Sequence, residues 1–487
     1  MGVLKQKVIM EIPVYIYNSL SRRIEEFRPL NPPVVTYYSC GPTVYLPQHL
    51  GNMRSYLFAD TLRRVLELNG YTVRHTVNIT DVGHMTSDAD EGEDKIEKTA
   101  RAQGKKPEEV AEFYIAQFKR DIERLNVEPP SAPPGEFSRA TRHVPEMIAL
   151  IERIVARGYG YVTPSGVYFD VEKWRGASRI GRLSRQSLDE QLAGQRLEHS
   201  PDKRSPHDFA LWVLGHPEHL MHWDSPWGRG YPGWHIECSA MSMRYLGETI
   251  DIHSGGIDHI PIHHENEIAQ SESATGKPFV RYFVHNAFLV GMEGAKISKS
   301  AGRFPVLDDL VAAGINPLAF RLFCLGAKYR SELAFSLDAV RAAERNMYYL
   351  WGFTSVVSQT EMENDSPWVK DFEERFIEAV NNDLNTPVAL SVVLELVKEA
   401  YRRSDHHIWN AIKKFDRVLG LHLEDKFNEV HNLEFPEEIR KLVNARKEAR
   451  EQRKFDVADR IRRQLEALGY QVKDYPHGFF ELMPKWT

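Results

Sequence analysis

Apolar positions switch between two periods along this chain, and the switches mark out its first elements. Val34-Val35-Thr36-Tyr37-Tyr38 begins a buried strand, read over residues 34–45, that runs into the turn Gly41-Pro42. From 52 to 69 the period becomes helical, with Leu57, Leu62, Val65 and Leu66 on one stripe and Asn69-Gly70 as the stop. Residues 71–80 are β-branched and strand-like again. Strand, helix and strand in such quick succession form a βαβ unit, the seed of a parallel sheet.

Residues 93–125 read as charged and helical, and Pro129, Pro130, Pro133 and Pro134 mark a hinge or boundary after them. Residues 137–230 are mixed, with a helix over 144–157 and short strands within 160–170. Parallel-sheet character returns at 250–254 and 283–290. The pattern predicts a Rossmann-like fold interrupted by an inserted domain. From Leu337 onward the periodicity is helical, divided by polar stretches near 361–367 and 424–434. Residues 437–468 read as one basic helical region carrying Arg440, Lys441, Arg446, Lys447, Arg450, Arg453, Lys454, Arg460, Arg462 and Arg463. Residues 470–486 are short, aromatic and strand-like.

Composition narrows the class. The chain has 487 residues, 42% hydrophobic and 27% charged, enough for several domains. Its net charge of -6 leaves any nucleic-acid partner to local basic faces. No apolar run is long enough to span a bilayer, and no basic-then-apolar leader or myristoylation signal is visible, so a cytoplasmic protein without membrane attachment is expected. Three cysteines, Cys40, Cys238 and Cys324, exclude a disulfide framework and favour thiol or metal chemistry.

The chemistry gathers in a few segments. Cys40 precedes Gly41-Pro42-Thr43, and Cys238 closes the aromatic-rich turn Trp234-His235-Ile236-Glu237. The run His263-His264-Glu265-Asn266-Glu267 adds imidazole and carboxylate. Thiolate, imidazole and carboxylate are ligand types that Zn²⁺ accepts. His49-Leu50-Gly51-Asn52 opens a helix, where free N–H groups and the dipole suit phosphate and Gly51 permits close approach. Lys296-Ile297-Ser298-Lys299-Ser300 places two lysines on a loop flanked by Gly291, Gly294 and Gly302, able to close over a triphosphate.

These last two elements resemble the HIGH and KMSKS signatures of class I aminoacyl-tRNA synthetases. Around them, Tyr38-Ser39-Cys40-Gly41-Pro42-Thr43-Val44-Tyr45, Asn78-Ile79-Thr80-Asp81, Gly233-Trp234-His235-Ile236-Glu237-Cys238, Asp251-Ile252-His253-Ser254-Gly255-Gly256-Ile257-Asp258 and the 263–271 run look like the cysteinyl-tRNA synthetase family. The likeness extends from Tyr17-Asn18-Ser19 to the tail.

The resemblance implies an α/β Rossmann-like catalytic domain in two halves, 1–125 and 231–300, split by an inserted connective or acceptor-end domain over 126–230. A KISKS-loop and stem-contact junction over 301–336 follows, then a tRNA-binding helical bundle over 337–425 and a small anticodon-binding domain over 432–487. It places one zinc ion on Cys40, Cys238, His263 and Glu267, and the i, i+4 spacing of the last two supports a shared helix face. Thr80 and Trp234, with the two cysteines, border the amino acid. ATP falls to Gly41, Thr43, His49, Gly51, Asn52, Gly256, Asp258, Lys296, Ser298 and Lys299, accompanied by Mg²⁺. His49, Asn52, Lys296 and Lys299 are the implied catalytic residues.

The implied reaction joins L-cysteine to ATP as cysteinyl-adenylate and passes cysteine to the 3′ end of tRNA(Cys), with a monomer as the expected state. Zinc would select a thiolate over the harder oxygen of serine. Gly478 and Trp486 lie in the expected base-reading tail. The sequence departs from the family at Asn52 (in place of the second histidine of HIGH), at Ile297 (for Met), at Val213, and over 83–94. Two alternatives stay open: a cysteine ligase of the mycothiol pathway with an amino-sugar acceptor, and a non-catalytic tRNA-binding paralogue.

Overall fold

The computed structural model describes residues 12–82, 95–176, 181–185, 202–214, 219–291, 304–354, 357, 365–431, 436–474 and 480–484. The chain divides into two compact units. One is made of Met1–Leu310, Lys328–Phe335 and Asn381–Leu384, the other of Val311–Ala327, Ser336–Val380 and Asn385–Thr487.

The first unit opens with the antiparallel hairpin β1 (Tyr15–Asn18) and β2 (Arg23–Glu26). Its main sheet uses β3 (Val34–Ser39), β4 (Thr72–Ile79), β5 (Ser138–Arg139), β10 (Ile250–Gly256) and β11 (Val280–Asn286). The order is β11-β10-β3-β4-β5 and every pairing is parallel. Strand β10 is buried along its whole length, as expected of a central parallel strand covered on both faces. Asp251 on β10 ties in the edge segments: Oδ1 accepts the Leu30 N–H at 2.6 Å and Oδ2 accepts from Thr36 N and Oγ1. The chain reverses direction of growth between β3 and β10, so a crevice opens there beyond the carboxyl ends of the strands.

Helix α1 (Leu50–Leu68) crosses from β3 to β4 and is buried on nearly every side. Its inward polar residues are all satisfied internally. Arg64 pairs with Asp60 at 2.7 Å, and Arg54 donates to the carbonyls of Ala287 and Ser331 at 2.9 and 2.6 Å. The helical stretch read over 93–125 contains two helices, α2 (Lys95–Gln103) and α3 (Pro107–Arg124). Gly104, at φ +62, ends the first in the left-handed region, and Pro107 starts the second.

A four-stranded antiparallel sheet, β6 (Gly160–Thr163), β7 (Gly166–Phe169), β8 (Ala210–Leu214) and β9 (Gly230–Pro232), begins within the range read as an insertion, and β9 runs past its end at 230. Strand β5 of the parallel sheet falls in that range too. Trp234–Cys238, read as a turn, is the first turn of a helix over Trp234–Leu246. The segment 283–290 contains the end of β11 and the start of a separate short strand, β12 (Leu289–Gly291), which pairs with β13 (Leu333–Phe335).

The second unit is helical, with Pro317–Leu325, Leu337–Thr354, Thr386–Arg403, Trp409–Leu419 and Leu423–His431 among its elements. Arg321 is fully buried and donates from Nε to the Leu419 carbonyl at 2.5 Å, satisfying a C-terminal helix carbonyl. The basic region over 437–468 is two helices, Glu437–Glu451 and Phe455–Ala467, which pack with β14 (Tyr470–Asp474) and β15 (Phe480–Pro484). Ile439, Ile461, Leu465, Val472 and Leu482 form their common core. Arg446 is fully buried, so it does not belong to an exposed basic face. Lys441 pairs with Glu437 at 2.9 Å and Arg462 with Glu466 at 2.9 Å, which further thins the free positive charge. No helix among the described residues is long and apolar enough to cross a membrane.

Candidate active site

The crevice at the carboxyl ends of β3, β4, β10 and β11 is a cavity of about 720 Å³. Cys40 follows the last residue of β3, Thr80 follows β4, Gly256 ends β10 and Asn286 ends β11, and all four line it. So do Gly41, Thr43, His49, Gly51, Asn52, Trp234, Cys238, Asp258 and His263. Every expected amino-acid, nucleotide and metal position among the described residues therefore reaches one cavity, except Glu267, which is fully buried behind it. Lys296, Ser298 and Lys299, like Gly478 and Trp486, lie outside the described residues. The described neighbours that bracket the lysine loop, Gly291 and Phe304, both line the cavity.

The ligand atoms of Cys40, Cys238, His263 and Glu267 all lie within 4.8 Å of one another. Local structure explains the convergence. His263 begins the helix His263–Thr275, so His263 and Glu267 stand one turn apart on one face, with Nε2 3.0 Å from Oε1. Trp234–Leu246 brings Cys238 alongside. Cys40 is fixed by its N–H, which donates to the Ser254 carbonyl at 3.1 Å. Gly41 must be glycine: a Cβ there would meet the Asn78 carbonyl oxygen at 1.7 Å, while its N–H donates to Asn78 Oδ1 at 2.7 Å.

The charge state of this cluster is unusual for so dry a place. Cys238 is pushed down to about 6, first by the hydrogen bond from Cys40, with His263 assisting. Cys40 is raised for the complementary reason, as the donor of that bond, and by burial. Burial opposes a charge on His263, but Glu267 and Cys238 outweigh it and lift the imidazole to about 10. Burial would likewise raise the Glu267 carboxyl; His253 and His263 reverse that and hold it well below the ordinary carboxylate range. Glu267 Oε1 is buried and accepts no hydrogen bond from the described residues. Two sulfurs, an imidazole nitrogen and a carboxylate oxygen fit a soft divalent cation.

A second group, Cys40, His253, His264 and Glu267, meets the same distance limit. Its imidazoles are already engaged: His253 Nε2 donates to Glu267 Oε2 at 2.8 Å, and His264 Nδ1 lies 2.8 Å from His285 Nε2. Neither His253 nor His264 lines the cavity, whereas Cys40, Cys238 and His263 do. Hydrogen-bonded in this way, the two histidines stand where outer groups that orient ligands stand in metal sites. His263 Nδ1 is held in turn by His235 Nδ1 at 2.9 Å.

His49 lines the same cavity and caps α1: its Nδ1 accepts the Asn52 N–H at 3.2 Å. With Nδ1 accepting, the neutral ring carries its proton on Nε2. Burial lowers the His49 pKa, which favours that neutral form. The Phe304 ring lies 5.1 Å from the His49 ring. Thr80 Oγ1 donates to Glu237 Oε2 at 3.0 Å. Sequence reading missed several lining residues, Tyr45, Lys95, His259 and Asn286 among them. Asn286 had a usable signal, since it ends a strand pointing at the crevice; Lys95 had none, being one lysine in a charged helix.

Comparison with known proteins agrees with this arrangement. The family described as "tRNA synthetases class I (C) catalytic domain" matches residues 26–345. A DALR domain matches 375–424, and a "cysteinyl-tRNA ligase anticodon binding domain" matches 433–478. The cysteine–tRNA ligase of Treponema denticola is 42% identical over 487 residues, covering 94% of this chain and 97% of its own. That of Chlorobaculum tepidum is 43% identical over 486 residues, covering 96% and 98%. Among solved structures, Mycobacterium tuberculosis methionyl-tRNA synthetase with methionyl-adenylate superposes with a TM-score of 0.55 at 14% identity, over 87% of this chain and 96% of that one, a likeness of fold. Relatives this similar across almost the whole length, together with the catalytic-domain match, place the chain in the cysteine–tRNA ligase family of class I tRNA synthetases.

Proposed function

We propose that this protein is an ATP-dependent cysteine–tRNA ligase that discriminates its amino acid through a metal. The observation that carries the reading is the approach of Cys40, Cys238, His263 and Glu267 to within 4.8 Å of one another, the first three lining the cavity that His49 and Asn52 also line. Zinc fits the four donors, and bound there it would supply a soft contact that prefers a thiolate to a hydroxyl oxygen. Mg²⁺ arrives with ATP.

In the first step a cysteine carboxylate oxygen attacks the α-phosphorus of ATP, and the bond to pyrophosphate breaks. No protein nucleophile is required, so the residues act by positioning and by meeting developing charge. His49 Nε2–H and the amides opening α1 face the phosphates, with Gly51 keeping the approach clear. Lys296, Ser298 and Lys299 close over the triphosphate, and Thr43, Gly256 and Asp258 hold the adenosine side. Thr80 and Trp234 flank the amino acid. In the second step a terminal ribose hydroxyl of tRNA(Cys) attacks the acyl carbonyl and AMP leaves.

The domain scheme follows the same reading. Residues 126–230 serve the acceptor end, 337–425 the stem, and 432–487 the anticodon, with Gly478 and Trp486 in the base-reading tail. The anticodon-domain match over 433–478 favours tRNA over an amino-sugar acceptor. The protein acts as a cytoplasmic monomer. Cysteine-dependent ATP–pyrophosphate exchange followed by acylation of tRNA(Cys) tests the whole. Exchange with transfer only to glucosaminyl-inositol would establish the mycothiol-type ligase instead. No exchange in protein with its metal intact would establish the non-catalytic paralogue.

A further inference from the structure

Lys95 belongs to α2 and its side chain turns to the cavity. Among the described residues its ammonium meets no carboxylate, and it lies over the Tyr45 ring, 6.0 Å from Nζ to the centroid. The side chain is half-buried and lines the 720 Å³ cavity beside Tyr45, Gln48, His49 and Asn52. Among the described residues lining that cavity, Lys95 is the one lysine or arginine, and Asp258 the one carboxylate. An ammonium without a carboxylate partner among the described residues, in the cavity that the α1 N-terminus also lines, suits a polyanion.

We infer that Lys95 binds a phosphate of ATP during adenylate formation, in addition to Lys296 and Lys299. The inference rests on the adenylate-forming reading above. The chemistry is unchanged: a carboxylate oxygen bonds to the α-phosphorus, the bond to the β-phosphate bridging oxygen breaks, and the electron pair leaves with pyrophosphate. Lys95 transfers no proton; it meets charge on the non-bridging oxygens.

The test uses full-length, metal-loaded Lys95→Gln and Lys95→Arg in ATP–pyrophosphate exchange without tRNA. Losing a charge-assisted contact predicts that Lys95→Gln lowers kcat/KM for ATP about tenfold to a hundredfold. The KM for cysteine, the metal content and the thermal midpoint should stay at wild-type values, and Lys95→Arg should recover most of the loss. Wild-type exchange by Lys95→Gln would overturn the inference. So would a loss that tracks a lowered midpoint and is not rescued by arginine, which marks a structural role. A defect confined to transfer from preformed adenylate would assign the contact to a phosphodiester of the RNA and overturn the ATP assignment. Absence of cysteine-dependent exchange in the wild type would instead sink the ligase reading, and this inference with it.

Discussion

Gly41→Ala should disable the site through a single methyl group. The new Cβ would stand 1.7 Å from the Asn78 carbonyl oxygen and 2.8 Å from its carbon. Neither neighbour is the end of a flexible side chain; both are backbone at the close of β4. Reaching even a 3.0 Å contact requires the two backbones to part by about 1.3 Å. The Gly41 N–H bond to Asn78 Oδ1 and the Thr80 N–H bond to the Pro42 carbonyl, 2.7 and 2.9 Å, resist that movement. Overpacking of this kind costs about 1–3 kcal/mol. The functional cost is larger, because Cys40 is the preceding residue and a shift near 1 Å in a catalytic constellation costs on the order of a hundredfold in rate. The assays are metal content by mass spectrometry, thermal midpoint, and cysteine-dependent pyrophosphate exchange. Gly104→Ala is the control: at φ +62 its Cβ meets nothing within 4 Å, so it should cost about 1 kcal/mol of strain and leave exchange intact. Wild-type metal content and exchange in Gly41→Ala would refute the claim that this close approach positions Cys40.

His49 should separate its capping from its chemistry. His49→Asn keeps a good N-cap and loses the Nε2 donor, so exchange should fall tenfold or more at a nearly unchanged thermal midpoint; His49→Ala should lose about 1 kcal/mol as well. His253→Ala removes the donor to Glu267 Oε2 and should loosen the metal about tenfold to a hundredfold in competition with a chromogenic chelator, without removing a ligand. Acid lability should begin early. Burial depresses His75 from 6.5 to about 3, so the unfolded chain takes up a proton below pH 6.5 that the native state refuses. That group alone removes stability at up to about 1.4 kcal/mol per pH unit as pH falls from 6.5 toward 3. Denaturant titrations between pH 7 and 5 check this, and His75→Gln should flatten the slope.

Local pattern and motif order carried much of the site, and long-range packing carried the rest. The i, i+4 spacing of His263 and Glu267 needed only a helix, and the helix begins at His263. The strand–helix–strand opening was legible because β3, α1 and β4 each keep one period. The break between α2 and α3 was written in Gly104 and Pro107, but the apolar periodicity resumes after it and masks the interruption. Trp234–Cys238 looked like a turn because aromatic and small residues crowd it; tertiary burial makes it a helix start. The burial of Arg446 inverted a charge-based reading, since composition cannot tell which face of a helix meets a neighbour. The hydrogen bonds of His253 to Glu267, His264 to His285 and His285 to Ser19 join separate elements, so local pattern alone does not give them.

The most direct test of the central claim is zinc K-edge absorption of the purified protein, with and without cysteine. The account predicts a cation held by the two sulfurs of Cys40 and Cys238 with nitrogen and oxygen neighbours, gaining one more sulfur when cysteine is added and none when serine is added. An environment that is the same with cysteine as with serine, or one without cysteine sulfur from the protein, would contradict it.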